Sequence, residues 1–187
     1  MDRSWVQGLR FAPHTIALGQ AMRRLALIVA ALTFPVCSEA IASEWTHAST
    51  SSTANGTHEA VAKVSGLVDD AHGTRAAELV ITCADNRTSV FVSADYLVFG
   101  GDVARVEYTI DNDPTQRAYW NVCAGDLCAG LWNGAGIPFI RSLLDASVLR
   151  MTLTRTFGRR IYATFAVEGA REALKDVRRQ CGWAAPR

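Results

Sequence analysis

Beyond residue 59 the chain alternates apolar and polar residues with a period of two, the mark of strands that bury one face. Residues 78–92 show it best. Leu79 and Ile81 alternate with Val80 and Thr82, and Asp85-Asn86 then supply residues that tolerate turn dihedrals, so the segment predicts two strands joined tightly. A weaker strand is expected over 60–67, followed by a turn at 69–73. Along 103–110, Ala104, Val106, Tyr108 and Ile110 oppose Arg105, Glu107 and Thr109, and Asp111-Asn112-Asp113-Pro114 closes that strand. Segments 117–123, 148–155 and 160–167 repeat the pattern, pointing Trp120, Leu149, Met151, Leu153, Ile161 and Phe165 inward. Helical stripes occur over 138–146 (Phe139, Ile140, Leu143, Leu144) and 169–180 (Ala170, Ala173, Leu174, Val177). The fold predicted is mainly β: an antiparallel β-sandwich or flattened barrel with a short inserted helix and a C-terminal helix.

The first 42 residues break this pattern. Arg23-Arg24 precedes the apolar run from Leu25 to Phe34, and Ala40-Ile41-Ala42 offers a cleavage site. This reads as a Sec-type signal peptide over 1–42, because the apolar run falls short of the roughly 20 residues a membrane span needs. Met22-Arg23-Arg24-Leu25 has the form of an ordinary signal start, which predicts translation from Met22. Export to the periplasm or beyond is expected, with no membrane span after cleavage. Residues 43–58, rich in Ser, Thr and Ala, are expected to be a disordered linker, leaving 59–187 as a single β-rich domain.

The chain carries 19 basic and 18 acidic residues. Cleavage after Ala42 removes four arginines, one aspartate and one glutamate, so 15 basic and 16 acidic residues remain. That balance gives no electrostatic footprint for nucleic acid. Four cysteines also remain, an even number that implies disulfides in an exported chain and allows three connectivities. Cys123 and Cys128 flank a tight turn and would face each other across a hairpin, which pairs Cys83 with Cys181.

No catalytic constellation stands out. Asp69-Asp70 are adjacent on an extended chain and point apart, which suits a turn better than acid–base work. Asp111-Asn112-Asp113 lacks the glycine and glutamate of a calcium loop. His47, His58 and His72 accompany no nucleophile elbow or metal-ligand spacing. The expectation is a non-catalytic protein without metal or cofactor. Outward strand positions do collect Arg105, Arg117, Tyr119, Arg150, Arg160 and Tyr162, residue types that anchor interfaces. They form the candidate binding face, set against an ordinary solvated sheet surface.

Several segments carry a family resemblance. Asp69-Asp70, Leu79-Val80-Ile81-Thr82-Cys83-Ala84-Asp85-Asn86-Arg87-Thr88, Gln116-Arg117-Ala118-Tyr119-Trp120 and the stretch from Ala173-Leu174 to Cys181-Gly182-Trp183 resemble the VasI/TagO-like periplasmic proteins of type VI secretion gene clusters. The similarity spans 66–183. Cys123, Leu127-Cys128-Ala129 and Gly169 resemble the invasion-associated locus B proteins instead. Either resemblance implies an exported β-rich protein of a Gram-negative envelope, with no catalytic residues to carry over. The function expected is an accessory role, binding a protein or cell-wall partner. The competing reading is a periplasmic hydrolase acting on peptidoglycan or peptides.

Overall fold

The period-two segments pair into one antiparallel sheet that closes on itself. The structure, a computed structural model, describes residues 43–51, 58–94, 99–155 and 158–183. The signal peptide read over 1–42, with its Met22 start, lies outside the described residues, as do 52–57 of the expected linker. The strands are β1 (Trp45–Ser51), β2 (His58–Asp70), β3 (Gly73–Ala84), β4 (Arg87–Ser93), β5 (Val103–Ile110), β6 (Gln116–Val122), β7 (Cys128–Leu131), β8 (Val148–Thr154) and β9 (Arg160–Ala166). Their order is β1-β2-β3-β4-β7-β6-β5-β8-β9, and β2 also pairs with β9. Eight strands therefore form a closed barrel to which β1 is added, and the sandwich alternative falls.

Closure depends on the length of β2 and on one glycine. Residues 58–64 of β2 pair with β1, while 66–69 pair with β9, so β9 and β1 run end to end along the same edge. Gly66 stands opposite Phe165. A Cβ there would lie 2.2 Å from the Phe165 ring and 2.5 Å from the Thr164 carbonyl oxygen, so a side chain would hold the seam apart. The turn at Asp85-Asn86 has φ of 49° and 59°, the left-handed pair a two-residue hairpin of this hand requires.

Three expectations need correction. The disordered linker read over 43–58 is ordered at both ends: Trp45–Ser51 forms β1, and His58 begins β2. The part of the β2 edge that β9 leaves uncovered has ladder N–H and C=O groups to satisfy, and the β1 backbone supplies their partners. Trp45 anchors the strand, its indole N–H donating to the carbonyls of Glu168 (3.1 Å) and Val167 (3.4 Å). The single C-terminal helix expected over 169–180 is two short ones, α2 (Ala170–Ala173) and α3 (Lys175–Gln180). Leu174 breaks them at φ −89° and ψ 6°, yet Ala170, Leu174 and Val177 stay on one buried stripe. The inserted helix, α1 (Ile137–Ser142), is shorter than expected. Its Phe139 stands edge to face with Trp120 (5.4 Å) and Tyr108 (4.9 Å).

The barrel is filled by the inward positions of the strands; Leu79, Ile81, Val106, Trp120, Leu149, Leu153, Ile161 and Phe165 are fully buried. The C-terminus is tied to the β3–β4 hairpin by adjacent links. Cys181 is bonded to Cys83 (Cα separation 5.8 Å), and the Trp183 indole N–H donates to Thr88 Oγ1 at 2.9 Å. Cys83 and Thr88 are cross-strand partners, so both links grip one rung of the ladder. Cys123 is bonded to Cys128 across the β6–β7 turn (Cα separation 5.4 Å), where Gly125 and Asp126 have φ of 88° and 61°.

Candidate interaction surface

A closed barrel turns the inward residues of each strand into core and spreads the outward ones over its wall. On neighbouring strands β6, β5, β8 and β9 the register aligns those outward residues in rows. Tyr119, Arg105, Thr154 and Arg160 make the first row, and Arg117, Glu107, Thr152 and Tyr162 the second. A third contains Thr109, Arg150 and Thr164. All six residues of the expected face thus lie on one contiguous patch, and all are exposed, Tyr119 at 73% and Tyr162 at 51%.

The patch is wider than the sequence indicated. It continues onto β2, where Asp69 extends the second row and Leu67 the third. Among the described residues, the exposed large apolar side chains are Leu67, Val103, Tyr119, Leu127 and Tyr162. Four of these belong to the patch, and Leu127 sits in the β6–β7 turn. Alternation marks Leu67 and Val103 as outward once their strands are paired, but the apolar character of each favours an inward reading from sequence. Glu107 lies among the arginines, 3.2 Å from Arg117 Nε and 3.9 Å from Arg105 Nη2. Two of the cations are therefore partly neutralised, and the pairs, being exposed, contribute little to stability.

The other candidate residues are dispersed. Asp70 accepts the His72 backbone N–H at 2.8 Å and pairs with Arg75 (2.9 Å) and Arg155 (3.4 Å), while Asp69 bonds to Thr74. The adjacent carboxylates thus have separate partners. The His72 amide, then the Arg75 cation, hold Asp70 below the usual carboxylate range, although its burial opposes this. Asp111 accepts the backbone N–H groups of Ser147 (3.0 Å) and Val148 (2.8 Å), an arrangement that closes a turn. No group of three or more His, Cys, Asp or Glu side chains among the described residues could hold a metal ion. At one end of the barrel Tyr108, Ile110, Pro114 and Phe139 line a cleft of about 290 Å³, and burial raises the Tyr108 phenol above its ordinary value.

Residues 20–183 match the protein family described as "Type VI secretion system VasI, EvfG, VC_A0118". The chain belongs to this family. The Cys83–Cys181 bond and the Trp183–Thr88 hydrogen bond show what the terminal Cys-Gly-Trp does in this VasI-family chain: it fastens the last helix to the β3–β4 hairpin. No curated protein sequence matches the chain. Among solved structures, it is similar to invasion associated protein B from Bartonella henselae, with a TM-score of 0.47 and 9% identity over 73% of this chain and 95% of that one. No helix among the described residues is long and apolar enough to cross a membrane.

Proposed function

We propose that this VasI-family protein is an exported, non-catalytic accessory factor of type VI secretion, which works in the periplasm by binding a protein or cell-wall partner. The observation that carries the reading is the patch on β6, β5, β8, β9 and the end of β2, where Arg, Tyr and exposed apolar side chains coincide. Arg and Tyr are enriched at the energetic centres of interfaces. The strands that present them bury their other faces in the barrel, so a partner meets a surface already ordered. The two disulfides fit an oxidising compartment.

The test offers two baits, purified peptidoglycan sacculi and the periplasmic domains of the secretion apparatus, to the wild-type protein and to Arg117→Ala, Tyr119→Ala and Tyr162→Ala. Each variant is expected to weaken capture about fivefold or more, corresponding to a loss of about 1 kcal/mol, with an unchanged thermal midpoint. Undiminished capture by all three would remove the patch from the function. Release of soluble fragments from the sacculi by the purified protein would instead favour a periplasmic hydrolase.

A further inference from the structure

The arginines are not spread evenly over the patch. At the end of the barrel where β8 turns into β9, two clefts share a wall. The larger, about 480 Å³, is lined by Val103, Arg105, Tyr119, Thr154, Arg155, Gly158 and Arg160, without an acidic side chain. The smaller, about 260 Å³, shares Arg155 and Arg160 and adds Arg159, His72 and Asp70. Among the described residues Asp70 is the one carboxylate in either lining, and it is already engaged by the His72 amide, Arg75 and Arg155. Arg159 and Arg160 have no ion-pair partner among the described residues. Arg105 reaches Glu107 only at 3.9 Å, and that carboxylate lies closer to Arg117. Arg155 is mostly buried, with its side chain 14% exposed, and its Nε–H has no hydrogen-bond partner among the described residues.

We propose that these joined clefts bind a phosphate-bearing ligand. Guanidinium groups held together without enough counter-charge repel one another, and an oxyanion relieves that repulsion while accepting their N–H donors. A single carboxylate offers one charge and two oxygens, too little for four arginines. A phosphate monoester or diphosphate supplies up to two charges per group and several acceptor oxygens, and the planar fork of arginine matches its geometry. The two clefts with a common Arg155–Arg160 wall suit adjoining phosphates, as in a diphosphate. Asp70 acts as a positioning residue, holding Arg155 in the wall.

This inference rests on reading the same barrel wall as the working surface, but the two proposals are separable. Arg155 and Arg159 lie outside the six-residue face, and Arg117 and Tyr162 lie outside both clefts. The test titrates the full mature protein with inorganic pyrophosphate by calorimetry, and separately with vesicles of phosphatidylcholine containing phosphatidic acid or, at equal charge, phosphatidylglycerol. Saturable binding is expected in at least one phosphate arm, pyrophosphate pointing to a soluble ligand and phosphatidic acid alone to a lipid headgroup. Arg159→Gln and Arg160→Gln should each weaken it about tenfold without moving the thermal midpoint. Arg155→Gln should weaken it at least as much, but thermal stability must be read beside it, because the substitution also removes an Asp70 partner. Absence of binding in both phosphate arms overturns the proposal. So does undiminished binding by Arg159→Gln and Arg160→Gln, or, where vesicles bind and pyrophosphate does not, equal affinity for the two vesicle types, which would reduce the effect to unspecific charge attraction.

Discussion

Asp70 shows how one side chain can connect distant parts of a barrel. It ends β2, receives the amide of His72 two residues on, and meets Arg155 from the end of β8. Its side chain is only 6% exposed, so solvent screens these contacts weakly. Because the native carboxyl titrates below its ordinary value, its contribution to stability is complete above about pH 4 and is lost as the pH falls through the native value. Asp70→Asn should therefore cost on the order of 2 kcal/mol near neutrality, from the loss of charge-assisted hydrogen bonds. The gap from wild type should narrow in urea unfolding as the pH is taken below about 4. A gap that persists unchanged at pH 3 would show that the charge of Asp70 is not what matters. The sequence reveals that Asp69 and Asp70 stand beside a turn and point apart, because adjacent strand residues do so. It does not reveal Arg155, which is 85 positions away and reaches Asp70 only through closure of the barrel.

At the scale of elements, β2, β4, β5, β6, β8 and β9 follow the alternation closely, since each has one face in the core and one turned outward. β3 departs from it at Val80, buried on its outer face. The other exceptions are elements whose formation depends on neighbours. β1 has almost no aliphatic residues, and its sequence resembles a linker; it becomes a strand because an uncovered edge of β2 lies beside it. Trp45 is its one large anchor, fixed to the carbonyls that follow β9. Trp45→Ala should release β1 while leaving the barrel intact. Hydrogen exchange should speed up over 45–51 and over the facing residues 58–64, with little change over 66–69, which remain paired with β9. Unaltered protection over 45–51 would mean that the ladder holds β1 without the indole. The α2–α3 break escapes the sequence for a related reason: the apolar stripe is the same whether the backbone is one helix or two.

For the whole molecule, closure and cross-linking act on the same ends of the chain. The Cys83–Cys181 bond spans 98 residues, for which chain entropy gives about 4–5 kcal/mol, whereas Cys123–Cys128 spans five and gives about 2 kcal/mol. Cys83→Ala should thus lower the thermal midpoint well beyond Cys128→Ala, and a reversed order would show that the C-terminal helices are held chiefly by packing and by the Trp183–Thr88 bond. The sequence by itself determined the β class, most strand positions, the turn at Asp85-Asn86 and which arginines and tyrosines face outward, because these follow from local dihedral preference and a period of two. Barrels and sandwiches share that period, so the choice between them was left to tertiary structure. It was decided where Gly66 lets Phe165 and the β9 backbone approach β2. The same closure carried the outer face onto Leu67 and Asp69 and gathered Arg105, Arg155, Arg159 and Arg160 around two clefts. Such groupings depend on which strands become neighbours, a long-range outcome that no local pattern of residues encodes.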